Sequence, residues 1–217
     1  MPQFRDRRDA GQQLAQELAE YANRKDVIVL GLPRGGVPVA FEVAKALEAP
    51  LDVFVVRKLG APGNPELAMG AIASGDVRVM NEGVVDRLAI SDGSIEQVVE
   101  KEREKLQKRG EIYRGARPEG ELGGKTVILV DDGLATGATM RAAVSALQEH
   151  DPEKIVMTVP TAPPETCAEL EEMVDKSICL TMPRPFFGVG GAYQDFSQTT
   201  NEEVRDFLER ADEFVAV

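Results

Sequence analysis

Residues 127–139 read VILVDDGLATGAT. Four apolar residues run straight into two aspartates, and a turn rich in glycine and threonine follows. Ionised carboxylates are costly inside a protein unless they are paired, so a buried strand must end where Asp131 and Asp132 begin. In open α/β sheets, ligands bind beyond the carboxyl ends of the strands, where the strand order reverses. Placed there, the two acids leave the core for a polar site, and their acceptor oxygens suit a vicinal diol. Gly133 to Thr139 then turns the chain into a helix predicted over 138–149. Glycine lets successive main-chain N–H groups converge on one anion. The hydroxyls of Thr136 and Thr139 and the helix N-terminus add to that attraction. A diol binder followed at once by a phosphate cradle (Thr136, Gly137, Ala138, Thr139) describes a site for a ribose 5-phosphate. The plainer alternative is a strand and a helix whose cap and turn residues are aspartates.

The same alternation extends outward. Leu14, Leu18 and Tyr21 recur at helical spacing, predicting an amphipathic helix over about 5–23. Apolar runs at 26–31 and 51–58 read as strands around a helix at 37–49. Further strands are expected at 154–160 and near 177–181, with helices around 164–174 and at the C-terminus, where a Thr or Asn N-cap precedes glutamates. Strands alternating with helices predict an α/β fold with a mostly parallel, doubly wound sheet. Residues 59–80 break the pattern: LGAPGNPE reads as a loop and LAMGAIASGDVRVMN as a hairpin. The segment 94–113 reads as a long exposed helix whose charges form a solvated face. The expectation is a single domain over 1–217 with embellishments around 59–80 and 183–197.

Composition narrows the function. The chain has 217 residues, 25 basic and 37 acidic, for a net charge of −12. That disfavours a nucleic-acid-coating surface, and it obliges an anionic substrate to find local positive charge or a metal ion. No apolar run approaches a membrane span of about 20 residues, and the N-terminus has no signal-peptide core, so the cytoplasm is the expected compartment. Cys167 and Cys179 are too few for a disulfide framework, and Cys179 reads as a small core residue. The single His150 ends a predicted helix, which leaves no set of zinc ligands. GELGGKT (120–126) has one residue too few for a Walker A loop and precedes a strand instead of following one. GVGGAY (188–193) has neither the spacing nor the sequel of a dinucleotide fingerprint.

Two more loops fit an anion site. GLPRGGVPVA (31–40) follows a strand and opens a helix; Gly35 and Gly36 allow close approach of the backbone, and Arg34 can pair with phosphate. PFFGVGGAYQDF (185–196) gathers four aromatics and three glycines in a chain only 5% aromatic. Such a segment suits stacking on a planar base, or else forms a local aromatic minicore.

Apolar-Asp-Asp followed by Thr-Gly-Ala-Thr closely resembles the phosphoribosyl diphosphate (PRPP) motif of type I phosphoribosyltransferases. Gly133 departs from it, where that family more often has a β-branched residue, and is expected to loosen the turn. The resemblance implies a pyrophosphate loop at Arg34, Gly35 and Gly36. It implies a basic pair, Arg57 and Lys58, before a flexible loop that closes over PRPP; Glu66 in that loop reads as a surface residue, with general base as the alternative. The segment 185–196 is similar to the hood of the hypoxanthine-guanine branch, implying Phe186 or Phe187 as the stacking ring, Val189 as a backbone contact and Asp195 as an acid near metal. The implied activity is transfer of a 5-phosphoribosyl group to a nitrogen acceptor such as a nucleobase, as in nucleotide salvage. Mg²⁺ would be held at Asp131 and Asp132, and a homodimer is among the assemblies to expect. The rival is a non-catalytic PRPP or nucleotide sensor on the same fold.

Overall fold

A computed structural model describes residues 3–115, 117 and 120–215. Its centre is a five-stranded parallel sheet: β1 (Val27–Gly31), β2 (Leu51–Val53), β6 (Thr126–Val130), β7 (Lys154–Thr161) and β8 (Lys176–Thr181). Their order across the sheet is β2-β1-β6-β7-β8. Every residue of β1 and of β6 is buried, as expected of strands covered on both faces. Side chains alternate between the faces. Val27, Val29, Ile128 and Val130 enter one core, with α1 (Arg7–Glu17), α2 (Gly36–Leu47) and α7 (Asn201–Val215). Ile28, Leu30, Val127 and Leu129 enter the other, against α5 (Ala138–Gln148) and α6 (Pro164–Glu171).

Strand order reverses between β1 and β6, which pair from Val27–Thr126 to Gly31–Val130. The chain leaves β1 toward β2 on one side and leaves β6 toward β7 on the other. The loops after these two strands therefore diverge and leave a crevice at the sheet's carboxyl edge, the usual ligand position in doubly wound sheets.

The predicted strand 51–58 is two strands. Phe54 N–H still donates to the Gly31 carbonyl, but Ser74 then takes over Val55, its N–H donating to the Val55 carbonyl and its hydroxyl accepting from the Val55 N–H. From there β3 (Val56–Ala61), β4 (Asn64–Ala73) and β5 (Val77–Met80) form a separate antiparallel sheet. The stretch expected as a loop, LGAPGNPE, is the β3–β4 hairpin; the hairpin expected at the Ser-Gly-Asp turn is β4–β5. Arg57 and Lys58 explain the break, since a buried parallel sheet has no place for two charges.

The short α3 (Glu82–Arg87) leads to α4 (Asp92–Arg114), capped by Ser91. Its last turn is fixed by Arg114, which is buried and bonds to Asp52 at 2.8 Å. At α7 the cap is Thr200: its hydroxyl accepts from Glu203 N–H, and the Glu203 carboxylate accepts from Thr200 N–H, a capping box. The predicted first helix is shorter than its pattern, ending at Glu17 before a single 3-10 turn, Ala19–Tyr21. Cys167 and Cys179, too few for a disulfide framework, form a single disulfide joining α6 to β8, so Cys179 is a linked residue and not simply a small core one.

Candidate functional site

Asp131 and Asp132 stand at the end of β6, in the crevice. The Asp131 carboxylate accepts from the Asp132 N–H at 2.8 Å. Burial, then the neighbouring Asp132 charge, pushes the Asp131 carboxyl well above the usual aspartate range. Burial also raises Asp132, opposed by Arg7. Arg7 lies 125 residues away in sequence, yet its Nε and Nη2 both reach Asp132 Oδ2 at 2.8 Å.

The loop after β1 presses on both acids. A Cβ placed on Gly35 would lie 2.0 Å from Asp132 Oδ2, and one on Gly36 would lie 2.7 Å from the Val130 carbonyl and 3.1 Å from Asp131 Oδ1. Glycine is required there by contact, not by backbone angle, because Gly35 has ordinary helical φ and ψ. The Pro33–Arg34 peptide is cis. The amides of Arg34 and Gly35 have no protein acceptor among the described residues. On the other flank the amides of Ala135, Thr136 and Gly137 are equally without acceptors there, and Thr136, Ala138 and Thr139 are exposed. Thr166 on α6 supports this loop from beneath, its hydroxyl donating to the Ala135 carbonyl at 3.0 Å.

Helix ends repeat the pattern. α1, α3, α4, α6 and α7 each carry an acid in the first turn, as a helix N-terminus favours. α2 and α5, the two helices that open from the crevice, carry none and have no side-chain cap. In a chain with 37 acids, those two ends are left for an anion that the protein does not supply.

Over the acids lies the segment 183–197. Val189 fills the space beside Gly133, where a Cβ would meet Val189 Cγ1 at 2.6 Å and Thr161 Cγ2 at 2.9 Å. Gly133 therefore lets the hood close on the acidic loop, which replaces the expectation of a loosened turn. The aromatic cluster is partly the minicore alternative: Tyr193 stacks on Phe196 at 5.0 Å and tilts against Phe4 at 5.6 Å. The Tyr193 hydroxyl donates to the Asp132 carbonyl at 2.5 Å, and burial raises its pKa. Phe186 is half-buried, and Phe187 is 86% exposed. The Asp195 carboxylate accepts from the hydroxyl and N–H of Ser197, bonds that hold its pKa below the usual range.

The basic pair is divided. Neighbouring residues on a strand face opposite ways, so Arg57 turns to α4, where its Nε donates to Glu102 at 2.8 Å. Lys58 turns to α5 and lines a 440 Å³ cleft with Ala138 and Arg141. The expectation that both cations end one strand and serve one site is corrected on that geometry. The side chain of Glu66 lies outside the described residues.

Arg7, Tyr193 and Phe196 were not legible as site residues. Arg7 donates to the Ser197 carbonyl at 2.7 Å and covers the Phe196 ring at 3.9 Å, tying α1 to the hood. The only hint in sequence was its place in the charge-dense FRDRRD.

Among the described residues no group of three or more His, Cys, Asp or Glu is placed to hold a metal, and no helix is long and apolar enough to cross a membrane.

A doubly wound sheet with a crevice at its switch point and two uncapped helix ends facing it has the architecture in which α/β proteins bind anionic ligands. The phosphoribosyl transferase domain family model matches residues 4–195, and the chain belongs to that family. It is 49% identical over 97% of its length to a provisionally named phosphoribosyl transferase of Mycobacterium tuberculosis, covering 47% of that protein. The chain thus spans about half the length of the curated relatives it matches. A crystal structure from Thermus thermophilus is 43% identical, with a TM-score of 0.86, covering 97% of this chain and 99% of that one. A ribose-phosphate pyrophosphokinase of Sulfurisphaera tokodaii is 31% identical over 59% of the chain, covering 46% of that protein.

Proposed function

We propose that this protein transfers the 5-phosphoribosyl group of PRPP to a nitrogen acceptor of the nucleobase class, releasing pyrophosphate. The observation that carries the reading is the pair of helix ends at the crevice, α2 and α5, left without acids or caps on either side of Asp131 and Asp132. In this reading residues 136–139 hold the 5-phosphate, and the amides of Arg34 and Gly35 meet the pyrophosphate. Asp131 and Asp132 accept from the ribose hydroxyls and stabilise positive charge developing on the sugar. Binding both phosphate ends positions the reacting carbon between them. Both Arg7 bonds fall on Asp132 Oδ2, which leaves Oδ1 to accept from a ribose hydroxyl.

The donor set fits Mg²⁺ that arrives with the substrate. Two adjacent carboxylates offer hard oxygens, and Mg²⁺ is commonly held by one or two carboxylates plus substrate phosphates. When bound, it would neutralise diphosphate charge that a chain of −12 otherwise repels. Asp195, committed to Ser197, is at most an outer partner.

The sensor reading keeps one supporting observation: Arg7 on Asp132 and Glu102 on Arg57 already neutralise groups that catalysis would use. The test supplies PRPP and Mg²⁺ with a panel of bases and follows pyrophosphate release. Turnover on at least one base, abolished in Asp132→Asn, is the expected result. PRPP binding without turnover on any acceptor would establish the sensor, and no PRPP binding would end both readings.

A further inference from the structure

α4 was read from sequence as a solvated face, and most of it is. Its last two turns are different. A 370 Å³ cavity is lined by Pro33 and Arg34 of the loop after β1, by Arg109, Ile112 and Tyr113 of α4, and by Asn201 at the start of α7. That volume lies within the roughly 300–1,000 Å³ of small-ligand sites.

The charge in this cavity is anomalous for the chain. Of its sixteen arginines, thirteen make an ion pair with a carboxylate. Arg34, Arg87 and Arg109 make none among the described residues, and two of those three line this one cavity. Among the described residues no acid lines it, although the chain has 37. Two guanidinium groups that line one cavity without a paired carboxylate make it a local positive site in a chain of net charge −12. Arg34 is also one residue from Gly35, whose Cα lies against Asp132, so an anion between the arginines would adjoin the diol-binding acids.

We infer that Arg109 is a ligand-binding residue supplied by α4, outside the family motif, and that with Arg34 it clamps a diphosphate. A diphosphate carries more negative charge than a monophosphate and offers each guanidinium fork its own phosphoryl group to grip in a bidentate pair. Asn201 adds an amide donor. The helix dipole of α7 is not the basis, since Glu202 and Glu203 occupy its first turn. This inference rests on the proposed function for the identity of the diphosphate as that of PRPP, but its geometry does not need the sugar.

The test is calorimetric titration of the full chain, with Mg²⁺ present, using inorganic pyrophosphate, inorganic phosphate, ribose 5-phosphate and PRPP as separate probes. The variants are Arg109→Gln, Arg109→Lys and, as a charge control one residue away, Lys108→Gln. Arg109 is exposed, so its variants should fold, and matching thermal unfolding checks this. Arg109→Gln should weaken pyrophosphate and PRPP about tenfold or more, as expected for one charge-assisted pair. Ribose 5-phosphate should bind unchanged, and Arg109→Lys should recover only part of the loss because it lacks the fork. Pyrophosphate affinity unchanged in Arg109→Gln, lost equally in Lys108→Gln, or absent in the wild type would overturn the inference. If pyrophosphate binds through Arg109 but PRPP does not bind, the clamp stands and the proposed function falls. If PRPP binds through Asp132 with no contribution from Arg109, the reverse holds.

Discussion

Gly35→Ala tests the seating of one loop on another with a single methyl group. Gly35 has φ −63° and ψ −32°, angles that alanine adopts freely, so the backbone contributes no strain and any effect is steric. The new Cβ would lie 2.0 Å from Asp132 Oδ2 and 2.6 Å from Cγ. Relieving it to 3.0 Å, the shortest tolerable approach, needs a displacement of at least 1.0 Å (3.0 − 2.0). That displacement disturbs the geometry of the bonds from Arg7 Nε and Nη2 to Oδ2, both now at 2.8 Å. Overpacking of a filled site costs about 1–3 kcal/mol. At about 2 kcal/mol, a domain of this size should lose roughly 4–8 °C in Tm. Affinity for PRPP should fall as well, because the displaced carboxylate is the proposed diol acceptor. The assay is thermal unfolding by circular dichroism with titration calorimetry, and Gly93→Ala is the control, since nothing lies within 4 Å of its added Cβ. A Gly35→Ala protein that unfolds within a degree of wild type and binds PRPP normally would refute the contact between the two loops.

Two other outcomes follow from the same geometry. Burial and the adjacent Asp132 raise the Asp131 carboxyl, against a smaller opposing pull from Arg7. A raised folded-state value means that the native state holds its proton more tightly. Stability is then greatest below the unfolded aspartate value of about 3.9, falls as pH climbs through the folded value, and stays reduced at neutral pH. Asp131→Asn should therefore raise stability at pH 7, by about 1.4 kcal/mol for each pKa unit of elevation, and Tm with it, with the gain shrinking toward pH 4 while PRPP binding is lost; an unchanged Tm across that range would contradict it. Reduction of the Cys167–Cys179 bond, which closes a separation of 12 residues, should lower stability by about 2–3 kcal/mol in the chain-entropy account. Thiol titration under native conditions should find no free cysteine before reduction and two after, and two reactive thiols at the outset would deny the bond.

The sequence by itself determined whatever depends on near neighbours along the chain. Uninterrupted apolar runs at 27–31 and 126–130 can only be strands covered on both sides, and alternation with helices makes their sheet parallel. The Asp-Asp pair had to lie at a strand end because the run before it is buried and the acids cannot be. The glycine loops after β1 and β6 were legible for the same reason, since their function is carried by their own backbone amides.

Tertiary structure alone decided what those loops meet. LDVFVVRK looks like one strand by period, but Ser74, nineteen residues from Val55, redirects it, and alternation along β3 then sends Arg57 and Lys58 to opposite faces. The partner of Asp132 is Arg7, a residue distinguished in sequence only by its charge. The pairing of the cysteines, the closure of Val189 over Gly133 and the convergence of Arg34 and Arg109 on one cavity have no local signature either. Each brings together residues of different elements, and that depends on how whole elements pack, which a one-dimensional pattern does not encode.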